Sequence, residues 1–162
     1  DHGMAPVTGN IDVISFLRSR GFKFGCDYVS FVGATYASFW FKDERRRDGI
    51  RKELSMLGMG RFLSPYDKKA LGIDGIGWKY GEDIFAIKEH YAIFPEFYHS
   101  RRSPKGMHGY AFGKYDMPIF LIYSDISIGL KKKTINIIDI MPTILRLLDL
   151  PVPPYVEGES II

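Results

Sequence analysis

Two stretches of the chain are dense in aromatic and β-branched residues, Tyr28-Val29-Ser30-Phe31-Val32 and Tyr36-Ala37-Ser38-Phe39-Trp40-Phe41. Gly33-Ala34-Thr35 joins them. The pattern predicts two strands, with a hairpin as one way to pair them. In the first strand neither alternate set of positions is clearly polar, which predicts a largely buried strand. Shorter runs at Arg61-Phe62-Leu63, Asp83 to Ile87 and Tyr91 to Phe94 read as further strands, the last two joined at Lys88-Glu89-His90. Pro118-Ile119-Phe120-Leu121-Ile122-Tyr123 is nearly all apolar, as a central strand of a parallel or mixed sheet would be.

Helical spacing appears between these runs. Ile11, Ile14 and Leu17 follow Asn10, the predicted N-cap, and Gly21 ends the helix. Asp43 to Leu57 opens with acids and continues with bases, as the helix dipole favours, and Ile50, Leu54 and Leu57 form its apolar stripe. Its arginines, Arg45, Arg46, Arg47 and Arg51, read as a solvated face rather than a nucleic-acid or phosphate patch. Ser64-Pro65 starts a helix that runs to Gly72. In the last quarter, Asp139 is the predicted N-cap and Pro142 sits in the first turn. Met141, Ile144, Leu145 and Leu148 there form a stripe expected to be buried.

Glycine and proline mark the loops. Gly3, Pro6 and Gly9 predict a loop over 1–9. Residues 72–81 hold four glycines with Trp78 and Tyr80, which read as core cover, with a binding cleft as the alternative. Pro95 to Lys105 is an irregular stretch carrying His99, Arg101, Arg102 and Lys105. These cations suit an anionic substrate, and a solvated loop explains them equally. His90 is read as a surface residue and Lys131-Lys132-Lys133 as a basic turn. Strands alternating with helices give an α/β class, helices on a sheet.

Composition narrows this picture only a little. The 162 residues are in the range of one domain, and 46% hydrophobic content is enough for a core. A net charge of +3 is too mild to argue for nucleic acid. The single cysteine, Cys26, excludes an internal disulfide and is compatible with a reducing compartment. No run is long and apolar enough to span a bilayer.

Candidate chemistry lies in two distant stretches. Asp1-His2-Gly3-Met4 places a carboxylate and an imidazole beside a glycine. Both donors suit zinc and its neighbours, and glycine lets backbone pass close to an ion. His108 stands between glycines in Gly106-Met107-His108-Gly109-Tyr110. Such a histidine is either a loop residue or one delivered to a site. His99 is a weaker metal candidate.

With Ile138-Asp139-Ile140-Met141-Pro142-Thr143-Ile144-Leu145, then Leu150-Pro151-Val152-Pro153 and Glu157-Gly158, these stretches occur in the order of a known family. The chain resembles the C-terminal portion of the alkaline phosphatase superfamily, in its type I phosphodiesterase / nucleotide pyrophosphatase branch. Asp1-His2-Gly3-Met4 is similar to that family's metal motif and His108 to its Gly-x-His-Gly-Tyr histidine. The family often continues with Asp where this chain has Ala111, so any role of that Asp is not carried over.

The resemblance implies a mixed sheet flanked by helices and a two-metal hydrolase acting on phosphodiester or pyrophosphate bonds of small phosphate-ester substrates such as nucleotides. One ion would be held by Asp1, His2 and an Asp outside this sequence, and the other by His108 with an outside Asp and His. Zinc is the first expectation, with manganese or iron as alternatives. The family's Thr or Ser nucleophile comes earlier than its Asp-His-Gly-Met motif. The resemblance therefore implies a catalytic-domain fragment, inactive alone, whose partner is the missing N-terminal half. An edge left open by that half gives an expectation of homo-oligomers. Sibling chemistries (phosphonate hydrolase, sulfatase, phosphoglycerate mutase) and a non-catalytic domain of the same fold are the alternatives.

Overall fold

The computed structural model describes residues 2–114, 129–131 and 134–162, with residues 76–78 described by backbone only. The chain divides into two compact units, Asp1–Phe120 and Leu121–Ile162. Among the described residues the structure is mixed α/β, with four α-helices and three small sheets. None of these helices is long and apolar enough to cross a membrane.

The first unit begins with two very short strands, β1 (Ala5–Pro6) and β2 (Gly9–Ile11), where the glycines and proline predict a loop. Helix α1 (Val13–Ser19) comes next. Its cap is Asp12, whose Oδ1 accepts from Ser15 N at 2.9 Å, and not Asn10. The reason is that Asn10 is extended within β2, and its own side chain accepts from Ser103 Oγ at 2.7 Å. The strands β3 (Tyr28–Val32) and β4 (Tyr36–Phe41) form the antiparallel hairpin, with Tyr28 opposite Phe41. Helix α2 (Glu44–Met56) is capped by Asp43 Oδ1, which accepts from Arg46 N at 2.9 Å. Strand β5 (Gly60–Phe62) leads to α3 (Pro65–Ala70), where Ser64 and Asp67 cap each other reciprocally. A 3-10 segment spans Asp74–Tyr80, then β6 (Asp83–Ile87), β7 (Tyr91–Ile93) and β8 (Gly106–Met107).

The main sheet has the order β3-β4-β6-β5 and is antiparallel throughout. Its two faces differ. Tyr28, Ala37, Phe39, Phe62, Phe85 and Ile87 share one face and join Val13 and Leu17 of α1 and Ile50 and Leu54 of α2 in the core. Phe39 and Phe85 are fully buried, each contributing about 2–3 kcal/mol by leaving water. On the other face Ile84 and Ala86 join Leu63 in a smaller cluster, while Val29 and Tyr36 stay largely exposed. The strand β3 is therefore half-buried, not largely buried. Its alternation looked featureless because the exposed face is itself apolar.

Asp83 sits at the start of β6, on the core side beside Phe39. Arg47 Nε and Nη2 donate to its carboxylate at 2.8 and 3.0 Å, and Arg51 Nη1 lies 2.9 Å away. Arg46 pairs with Asp27 at 3.1 Å. Arg46, Arg47 and Arg51 thus pin the helix to Asp27 and the sheet, while Arg45 stays on the solvated face that the sequence predicts. Burial pushes the Asp83 carboxyl up, but the hydrogen bonds from Arg47 and Arg51 overcome this and hold it below the usual aspartate range. At the other edge, the hydrogen bonds of Arg61 and Ser64 hold the Asp67 carboxyl well below that range.

In the second unit a 3-10 turn, Ile137–Asp139, runs into α4 (Ile140–Leu147). Asp139 is buried but makes no side-chain cap to α4. Its carboxylate accepts instead from Asn136 N and Glu159 N, both at 3.0 Å, tying the turn to the tail. Thr143 Oγ1 donates to Asp139 O at 2.6 Å and accepts from Ile161 N at 3.2 Å. This polar side, with Pro142 and Thr143, is the buried one. The apolar stripe expected to be buried is not: Met141, Ile144 and Leu148 are exposed and only Leu145 is half-buried. The helix turns its hydrogen-bonding side to the tail, which leaves the stripe on the opposite side. Lys131 is exposed, while Lys132, Lys133 and the predicted strand at Pro118–Tyr123 lie outside the described residues.

Candidate functional site

The segment after Asp1 and the segment that carries His108 meet through backbone pairing. β1 and β8 are antiparallel, with Ala5 opposite Met107 and Pro6 opposite Gly106. Val7 N donates to Lys105 O at 2.8 Å, extending the contact. β2 lies parallel to β7, with Ile11 opposite Ile93. His90 links the two ladders. It has a left-handed backbone (φ 73°), its carbonyl accepts from Thr8 N at 2.8 Å, and its Nδ1 lies 3.1 Å from Pro6 O. It is a half-buried joint of the fold, not a plain surface residue.

The ends of these ladders bring two sequence-predicted ligands together. The His2 and His108 rings stack with centroids 3.8 Å apart and planes 22° from parallel. His2 Nδ1 lies 2.9 Å from the Gly3 carbonyl. A proton on that Nδ1 leaves the lone pair on Nε2, the arrangement common for a metal-binding histidine. His108 is exposed, and its position is set by Gly109 and Tyr110. Gly109 has φ 79°, a conformation that glycine adopts without penalty, so the chain turns sharply after His108. Its carbonyl accepts from Thr35 Oγ1 at 2.9 Å. Tyr110 then drops into the core, and its hydroxyl donates to Tyr91 O at 2.9 Å. On the other side of His108, a Cβ at Gly106 would come within 2.8 Å of Met4 Sδ, so the two motifs touch directly.

Asp1, the third predicted ligand, lies outside the described residues. Among the described residues no cluster of three His, Cys, Asp or Glu side chains could hold a metal ion. Two imidazoles side by side fit part of a zinc-type donor set, not a whole one.

The cationic stretch behaves differently from its sequence reading. Glu96, which sequence reasoning did not single out, is buried, with a side chain 0% exposed. Its carboxylate accepts from Tyr98 N at 2.7 Å and binds His99 Nδ1. His99 is thereby a positioned side chain and not a loose one. The spacing Glu-x-x-His was the available signal, but it carries no weight without burial. Phe97 N donates to Val32 O at 2.9 Å, and the Phe97 ring lies 5.3 Å from Phe31 and 5.0 Å from Tyr98. Burial raises the Tyr36 phenol above its usual value, and the nearby Tyr98 and Tyr80 add to this. Tyr80 is half-exposed and does not cover core, and the Trp78 side chain lies outside the described residues.

Comparisons with family models, curated proteins and solved structures give no match to this chain.

Proposed function

We propose that this chain supplies part of the metal centre of a two-metal hydrolase that cleaves phosphodiester or pyrophosphate bonds, within an alkaline-phosphatase-like fold. The observation that carries this reading is the stack of His2 on His108, two residues far apart in sequence and both expected as ligands. In this reading Asp1 and His2 serve one ion and His108 the other. The remaining ligands and a Thr or Ser nucleophile come from outside the chain.

Bound ions of this kind activate a hydroxyl nucleophile and neutralise charge developing on phosphorus. The residues of this chain orient the ligands. The Gly3 carbonyl directs the His2 ring, while Gly109 and Tyr110 hold the His108 loop against the core. Zinc suits the imidazole and carboxylate donors best, with manganese or iron as alternatives.

Calorimetric zinc titration of a longer protein that contains this chain and the outside ligands tests the ligand assignment. Zinc uptake is expected, and His108→Ala should weaken it by more than about a hundredfold, the upper end of what loss of a merely supporting residue causes. In the same protein, this substitution should abolish hydrolysis of an aryl phosphodiester. Hydrolysis retained in His108→Ala would overturn the ligand assignment. Absence of both zinc uptake and hydrolysis would leave a domain that keeps a fold without the chemistry.

A further inference from the structure

Five consecutive residues, Tyr98, His99, Ser100, Arg101 and Arg102, line an open groove of about 490 Å³. Three observations set it apart from an ordinary charged loop. The first concerns its arginines. Among the described residues Arg20, Arg46, Arg47, Arg51 and Arg61 pair with a carboxylate, while Arg18, Arg45 and Arg146 do not. Arg101 and Arg102 also lack an ion-pair partner among the described residues, and they differ from the other unpaired arginines in being adjacent and bordering the same groove.

The second is that the histidine is held in place. His99 Nδ1 is tied to the fully covered Glu96 carboxylate, while half of the His99 side chain remains exposed. The ring nitrogen on the far side, Nε2, is therefore its outward atom. Glu96 also accepts from Tyr98 N, and Glu96 N donates to His99 O at 2.9 Å, so the first half of the groove wall is fixed by three hydrogen bonds. The carboxylate that orients the histidine is itself kept out of solvent.

The third is the neighbouring surface. Phe97 and Tyr98 are 71% and 72% exposed and stand edge to face beside the groove. Exposed aromatic faces of this kind accept a flat or apolar body.

We propose that this groove binds a phosphate group, free or carried on a small organic body. Two guanidinium forks, an outward imidazole nitrogen and the hydroxyls of Tyr98 and Ser100 offer more donors and more positive charge than a two-oxygen monoanion such as a carboxylate can satisfy. A tetrahedral dianion with three terminal oxygens matches them, and arginine forks bind such oxygens in pairs. The groove is larger than phosphate alone, which leaves space for the organic body against Tyr98, whose ring meets Phe97 edge to face. The site does not depend on the histidine pair at His2 and His108, and its test runs without metal.

The experiment is calorimetric titration of the chain in EDTA with inorganic phosphate and, separately, with phenyl phosphate. Saturable binding in the millimolar range or tighter is expected. The double substitution Arg101→Ala with Arg102→Ala should weaken it at least about tenfold, and lysine at both positions should restore part of the loss. Glu96→Gln, which keeps the shape but not the charge beneath His99, should weaken it less. Arg45→Ala, an exposed arginine on α2, should leave it unchanged. Tighter binding of phenyl phosphate that Phe97→Ala removes would assign the groove to organic phosphates, and equal binding of the two probes would assign it to the free ion. Binding that survives the double arginine substitution, binding that His108→Ala removes, or no saturable binding of either probe would overturn the proposal.

Discussion

The four-stranded sheet and the crossing that carries His2 and His108 are built by opposite means. The sheet is held redundantly, with fully buried aromatics on one face, two helices over them and three arginines locking α2 to β6 and to Asp27. The crossing consists of ladders two and three residues long, backed by a few anchors such as Thr35 to Gly109 and Tyr110 to Tyr91. A scaffold with many contacts absorbs the loss of one. A site with few contacts moves when one is lost. The difference implies that stability and ligand geometry respond to different substitutions.

The harshest test of that split is Phe85→Ala. Phe85 is fully buried at the centre of the sheet and meets Phe62 at 5.2 Å. The cavity should lower stability by about 3–5 kcal/mol, read from urea denaturation. Metal uptake should be lost only as the protein unfolds. A variant that stays folded at full stability but loses zinc would break the comparison.

Asp83→Asn probes the polar part of the same scaffold. It leaves Arg47 and Arg51 without their buried carboxylate, and because both arginines are partly exposed the loss should be about 2 kcal/mol, below that of a fully buried pair. The pH dependence has a definite sign. The folded Asp83 carboxyl lies below its ordinary value, so its contribution is complete above about pH 4 and fades as pH falls below that. Acid unfolding of Asp83→Asn should therefore begin from lower stability but fall less steeply. An unchanged acid limb would remove Asp83 from the account.

How much of each region could be read from the sequence obeys the same division. Strands β3, β4 and β6 and helix α2 were legible because burial writes a period into them, as with Ile50 and Leu54 one turn apart. Strands β1, β2 and β8 were not, since Ala5–Pro6, Gly9–Ile11 and Gly106–Met107 are too short to hold any period. Asn10 looked like a cap because its chemistry allows one, but pairing with β7 took it into a strand. In α4 the amphipathic stripe was correctly seen, yet a stripe does not say which side the tail will cover, and Asp139 and Thr143 decided that with hydrogen bonds. His2 and His108, the histidines proposed as ligands, are weak signals singly and are read as a pair only through family resemblance. Glu96 gave no usable signal, since its importance comes from being buried under His99.

The finest test removes the same atom from each region. Tyr28 is a core residue of β3 whose hydroxyl is buried without a hydrogen-bond partner among the described residues. Burial pushes its phenol up to about 12, so the folded state resists ionisation that the unfolded chain accepts near pH 10. That contribution is complete below about pH 10 and disappears as pH rises towards the folded value. Tyr28→Phe removes an unsatisfied polar atom and should be neutral or stabilising by up to about 1 kcal/mol at neutral pH, with a shallower alkaline limb. Tyr110→Phe removes a hydroxyl that donates to Tyr91 O at 2.9 Å. It should lower stability by about 1 kcal/mol, and it should also weaken zinc uptake, because that bond sits two residues from His108 and helps to fix the loop. Opposite signs from one chemical change would show that the sheet has slack and the crossing has none. If Tyr110→Phe left zinc uptake untouched, the His108 loop would owe its position to the Gly109 turn and the Thr35 bond instead.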